Sequence, residues 1–139
     1  MIVLDTNVLS EPLRTRPDPQ VMAWLNSLPP DVALVSISVG EILLGARLLP
    51  EGRRRESLMA AIDTTLTTFA DNVLPYDQSA ARVYAEMQQT RRSAGVPLSV
   101  EDGMIAAVCR HNAADLATRN TKDFEGLGLE LINPWDYAS

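Results

Sequence analysis

One cysteine, one histidine, a single lysine among twelve basic residues and an aromatic content of 5% leave much chemistry out of this 139-residue chain. The lone Cys109 excludes a disulfide scaffold, and its place in the apolar run 104–109 reads as a small buried hydrophobe rather than a nucleophile. The lone His111 leaves no partner for an H-E-x-x-H zinc site. A Ser-His-Asp arrangement would have to recruit that same ring, which reads better as a helix-end residue. No apolar run approaches the roughly 20 residues that a membrane span needs, and the N-terminal run is too short for a signal peptide, so the expected location is the cytoplasm. Excess positive charge is missing as well. The net charge is -6, so the whole molecule repels nucleic acid, and any contact must come from local arginines or from cations held by carboxylates. Tight hairpin signals such as Asn-Gly are absent, which argues against an antiparallel sheet.

What is present is one domain's worth of chain, residues 1–139, with 46% hydrophobic and 22% charged residues, enough to bury a core. It opens on Met1-Ile2-Val3-Leu4-Asp5-Thr6-Asn7, an apolar run that ends in a carboxylate, a hydroxyl and an amide. This reads as a buried strand delivering polar groups at its carboxyl end, where open α/β sheets bind ligands. Asp18-Pro19 then caps a helix phased by Val21, Met22, Leu25 and Leu28, which Pro29-Pro30 stops. Residues 32–37 form the next strand, and Ser38 is expected to open a helix running to about Leu49. A third helix is phased by Leu58, Ile62, Leu66 and Phe69, and residues 72–75 suit only a short strand. Asp77 caps a helix that turns Ala80, Val83, Tyr84 and Met87 inward. Ser99 starts another, apolar nearly all round from 104 to 109 and therefore interior. Short strands at 116–118 and 129–132 follow, and Trp135 covers one end of the core. Strands alternating with helices over the whole length predict an α/β fold, a mostly parallel sheet with helices on both faces.

Four places set acids at or just after strand ends: Asp5, Glu41, Asp102, and the stretch Asn120-Thr121-Lys122-Asp123. Ser38 and Glu41, Ser99 and Asp102, and Asn120 and Asp123 each place a capping residue three positions before an acid, which helix capping alone explains. Asp5 belongs to no evident helix start and needs a counter-charge. Carboxylates about 5 Å apart repel by roughly 3 kcal/mol at an effective dielectric near 20, so a cluster stays ionised only around cations. Oxygen ligands without cysteine or histidine pairs select a hard ion, Mg2+ or Mn2+.

Four segments, in this order and at this length, carry a resemblance: Ile-Val-Leu-Asp-Thr-Asn-Val-Leu-Ser-Glu-Pro-Leu-Arg at the start, Ser-x-x-x-Gly-Glu-Ile-x-x-Gly in the middle, Glu-Asp-Gly-Met-Ile-Ala-Ala, and Leu-Ala-Thr-Arg-Asn-Thr-Lys-Asp-Phe. The chain resembles the PIN-domain ribonucleases, in particular the VapC/FitB-like toxins of type II toxin–antitoxin pairs. That resemblance implies a three-layer α/β/α sandwich with a five-stranded parallel sheet, and metal-binding catalytic acids at Asp5, Glu41 and Asp102 with Thr6 orienting them. It also implies a homodimer, inhibited by an antitoxin whose basic or arginine-bearing segment lies across the acidic groove. The family's fourth acid directly follows Thr-Arg, where this chain has Asn120. Asp123 is therefore expected in an outer or second-ion role, with Asn7, Thr118 and Asn120 in support. The expected activity is Mg2+-dependent endoribonuclease action on RNA phosphodiester bonds by metal-activated water. Two other readings stand beside it: a non-catalytic module docking a basic partner, and an aspartyl-nucleophile phosphatase using Asp5. The second is disfavoured by Asn7, where such enzymes need another acid.

Overall fold

In the computed structural model, which describes residues 1–138, five short parallel strands form one sheet between two layers of helices. The elements run β1 (Ile2–Leu4), α1 (Thr6–Ser10), α2 (Pro19–Asn26), β2 (Val32–Val35), α3 (Ser36–Arg47), α4 (Arg53–Thr68), β3 (Val73–Leu74), α5 (Gln78–Ser93), α6 (Val100–His111), β4 (Asp115–Ala117) and β5 (Leu131–Ile132). The strand order is β3-β2-β1-β4-β5, with β1 central and Val3 in register with Ala33 on one side and Leu116 on the other. All pairings are parallel, as the alternation of strands and helices requires. The chain builds outward from β1 through β2 to β3, then returns across to β4, so the order reverses between β1 and β4. That switch point opens a crevice at the carboxyl ends of the two strands.

The sheet is buried on both faces because side chains alternate along each strand. Val3, Ala33, Val35 and Leu116 pack with Met87, Ile105, Val108 and Phe124 on the side of α5 and α6. Leu4, Val32, Leu34 and Ala117 pack with Val8, Trp24, Ile42 and Ile62 on the side of α1 to α4. Cys109 is fully buried in the first cluster, where desolvation pushes its thiol up to about 12, and His111 ends α6, both as their sequence contexts suggest. Among the described residues, no helix is long and apolar enough to cross a membrane.

The structure corrects several boundaries. The strand expected over 32–37 ends at Val35, and α3 begins at Ser36 with Val35 as a cap that offers no side-chain acceptor. Ser38 is thus not a cap but a helix-interior residue, fully buried, with its hydroxyl unpaired among the described residues. Glu41 and Asp102 lie inside helices rather than at strand ends, and α6 follows α5, not a strand. Leu28 falls beyond the end of α2. The helix α1 was not anticipated at all, and it changes the reading of Asp5. Asp5 is its N-cap, with Oδ1 accepting from the Thr6 amide at 2.8 Å. Asp18, Asp77 and Ser99 cap α2, α5 and α6 with side-chain hydrogen bonds.

Candidate metal centre

Asp5 leaves β1 at the switch point and is 6% exposed. Its amide still pairs with the Ala117 carbonyl of β4 at 2.9 Å, so its position is set by the sheet. Both carboxylate oxygens are engaged. Oδ1 accepts from the Thr6 amide, and Oδ2 accepts from the buried Thr118 hydroxyl at 2.8 Å. Thr118 Oγ1 in turn accepts from the Asn120 amide at 3.1 Å. One threonine therefore joins the end of β4 to the end of β1 and fixes the chain direction beyond it. Asn7 adds a second tie, its Oδ1 accepting from the Arg119 amide at 3.4 Å. This gives Asn7 a structural task in place of the second acid that a phosphatase would need there.

The other acids arrive from helices. Thr6 Oγ1 donates to Glu41 Oε1 at 3.0 Å, which links the start of α1 to the second turn of α3. Asp102 sits in the first turn of α6, where its amide donates to Ser99 Oγ at 3.2 Å. Asp123 lies exposed on a 3-10 turn, Thr121–Phe124, that follows Asn120. Asn120 precedes this turn as expected but makes no side-chain cap; the Asp123 amide bonds its carbonyl instead, at 3.0 Å. Arg91 of α5 holds this segment from below, with Nη1 donating to the Glu125 carbonyl at 2.9 Å and Nη2 to the Asp123 carbonyl at 3.3 Å.

The acids lie close enough for each to feel a neighbour's charge. Burial pushes the Asp5 carboxyl above its ordinary range and the Asp102 charge adds to this, against the pull of the Thr118 and Thr6 hydrogen bonds. Glu41 is raised from 4.5 to about 7, first by desolvation and then by Glu101 and Asp5, with the Thr6 hydroxyl working the other way. Asp102 is raised by desolvation and by the charges of Asp123 and Glu101, against the Ser99 hydroxyl. The sequence reading missed Glu101, a neighbour of Glu41. Its only signal was its adjacency to Asp102 in a helix's first turn, where a dipole explanation suffices.

The donor set is carboxylate and hydroxyl oxygen, desolvated and mutually repelling, and a hard divalent cation relieves both penalties. Among the described residues no three His, Cys, Asp or Glu side chains close into a ready-made cage. Three concavities lie elsewhere and share no residue with these acids: a cleft of about 860 Å³ lined by Arg14, Arg16, Arg54 and Leu58, an apolar groove of about 350 Å³ between α1, α2 and α4, and a hollow of about 520 Å³ lined by Glu51, Arg55 and Asp63.

The PIN domain family model matches residues 2–128. This chain belongs to that family, among its VapC/FitB-like toxins. It is 39% identical to Toxin FitB of Neisseria gonorrhoeae over 137 residues, covering 97% of this chain and 99% of that protein. It is 38% identical to VapC ribonuclease Y4jK of Sinorhizobium fredii over 140 residues, covering 99% of this chain and all of that protein. A solved structure of FitAB bound to a DNA fragment superposes with a TM-score of 0.94 at 38% identity, covering 100% of this PIN-domain chain and 99% of the matched one.

Proposed function

We propose that this PIN-domain protein is an Mg2+-dependent endoribonuclease, the toxin of a type II toxin–antitoxin pair, acting on RNA in the cytoplasm. The observation that carries the reading is Asp5: a desolvated carboxylate pinned by Thr118 and Thr6 at the β1/β4 switch point, with Glu41 and Asp102 brought into electrostatic range from α3 and α6. The ribonuclease name of a relative matched over its whole length supports the choice of substrate.

Asp5, Glu41 and Asp102 would hold Mg2+, or Mn2+ in its place, and Asp123 would act from the outer side or on a second ion. When bound, such a cation supplies water activation and neutralises charge on the phosphodiester. The chain's own residues do the rest. Thr118 and the Thr6 amide orient the Asp5 oxygens, and the Thr6 hydroxyl fixes Glu41 relative to them. Asn7 holds the strand-end backbone at Arg119, and Asn120 follows Thr118 where the chain turns toward Asp123. The same acidic edge suits an arginine-bearing segment of an antitoxin, whose guanidinium would take the place of cation charge. The similarity to a chain in the FitAB complex supports such a partner, and we infer a homodimer as the active unit.

The test is cleavage of assorted purified RNAs in Mg2+ and then in EDTA, with Asp5→Asn and Asp102→Asn alongside. Cleavage should require the metal, and both variants should lose it by at least a hundredfold while melting at or above the wild-type temperature, because each removes charge from a repelling cluster. Cleavage that persists in EDTA, or in both folded variants, would overturn the proposal.

A further inference from the structure

Arg119 stands between two residues that build the acidic edge, yet it pairs with none of the acids. Thr118 before it bonds Asp5, Asn120 after it bonds Thr118, and its own amide is held by Asn7. Its side chain is exposed, and among the described residues no carboxylate lies within ion-pair distance of it. The guanidinium carbon instead lies 5.0 Å from the centroid of the Trp135 ring. A strongly acidic neighbourhood should draw a flexible arginine inward, so this stacking marks a cation held off the carboxylates.

The aromatic partner is itself fixed. Its amide donates to Asn133 Oδ1 at 3.0 Å, Pro134 beside it is buried, and the half-buried indole packs against the core cluster of Leu4, Trp24 and Ala117. The guanidinium thus stacks on an anchored ring at the carboxyl end of β4, one residue from the threonine that holds Asp5. Stacking occupies one face of the guanidinium and leaves its N–H edge free to fork onto a phosphate. A molecule of net charge -6 needs such local cations to hold a polyanion near its acids.

We propose that Arg119, stacked on Trp135, binds a backbone phosphate of single-stranded RNA flanking the one that reacts. This rests on the ribonuclease reading and names a binding residue that the acids do not supply. Because the contact is to phosphate, it strengthens binding without regard to base sequence.

The experiment measures anisotropy of two labelled oligoribonucleotides of unrelated sequence, with Ca2+ in place of Mg2+ and over a range of salt, each strand being checked on a gel as intact after the titration. Arg119→Ala should weaken both by a similar factor, roughly fivefold, and reduce the slope of log affinity against log salt by about 0.7. Arg119→Lys should keep the slope and lose part of the affinity, and Trp135→Leu should do the same by freeing the arginine. A folded Arg119→Ala with wild-type affinity and slope would overturn the proposal, as would a loss confined to one oligonucleotide. If Arg119→Ala does not fold, the salt slope of Arg119→Gln decides in its place. Wild-type protein that cleaves RNA while these variants bind normally removes only the phosphate contact, whereas wild-type protein that neither binds nor cleaves removes the ribonuclease reading with it.

Discussion

Glu41 links the site's chemistry to the stability of the fold. Its carboxyl is raised from 4.5 to about 7 by desolvation and by Glu101, so the folded chain holds this proton more tightly than the unfolded chain does. The resulting stabilisation is fully present below about pH 4.5 and is lost as pH rises through about 7. In EDTA, the melting temperature should therefore fall from about pH 5 to about pH 8, Glu41→Gln should flatten that fall, and Mg2+ should restore stability at the upper end. Parallel melting curves for wild type and Glu41→Gln would show that Glu41 does not carry the dependence. Asp123 gives a second measurement. It is exposed, its charge reaches Asp102, and Arg91 fixes its backbone, so it suits an outer position toward the cation. Asp123→Asn should raise the Mg2+ concentration needed for half-maximal cleavage, with activity partly restored by excess metal. Asn120→Ala should lower activity without that rescue, since its amide is a weak ligand and its backbone bond to Thr118 survives truncation. Equal Mg2+ dependence in wild type and Asp123→Asn would remove Asp123 from the metal's surroundings.

Helix packing delivers Asp102, and at Gly103 beside it α6 comes close against α5. A Cβ added there would lie 2.6 Å from Tyr84 Cε2 and 3.3 Å from Gln88 Nε2. Both neighbours are already engaged. The Tyr84 ring meets Tyr76 edge to face at 6.4 Å, and Gln88 bridges the Leu98 carbonyl and amide at 2.9 and 3.2 Å. Gly103→Ala should cost ~1–3 kcal/mol by overpacking and displace Asp102, and Tyr84→Ala in the same chain should recover part of the loss. Additive losses in thermal melts would mean the two side chains do not meet. What could be read from sequence follows the same physics. The spans of α5 and α6 were legible because Asp77 and Ser99 cap them with side chains, and β1 because an apolar run stops at Asp5. The start of α3 was not, because Val35 caps it without a side-chain acceptor, and α1 was not, because five residues are too few to show a helical period. The acids themselves were named from spacing and resemblance. Thr118's bond to Asp5 and Arg119's stack on Trp135 span distances in sequence that only the strand order closes.

At the scale of the whole molecule, charge and apolar surface make opposite demands on assembly. The chain carries a net charge of -6, so two copies repel, and a homodimer must be held by contacts that outweigh this repulsion. The outer face of α3 offers them. Gly40, Leu44 and Leu48 follow one another at four-residue spacing, Leu48 is 75% exposed and Leu44 56%, and nothing stands within 4 Å of a Cβ placed at Gly40. Fully burying a leucine contributes ~1.5–3 kcal/mol, and a two-fold contact uses each leucine twice, so this face is the expected seam of the homodimer proposed above. Added salt screens the repulsion between copies and leaves apolar burial intact, so self-association should strengthen as ionic strength rises. RNA or an arginine-bearing peptide should respond in the opposite sense, because those contacts join opposite charges. Sedimentation at several salt concentrations separates the two cases. Leu48→Arg should shift the protein to monomer at every salt concentration and melt where wild type melts once diluted to monomer, since an exposed side chain contributes little to the isolated fold. A variant that still dimerises with wild-type affinity, or a wild-type dimer that dissociates as salt is raised, would place the seam elsewhere and make it polar.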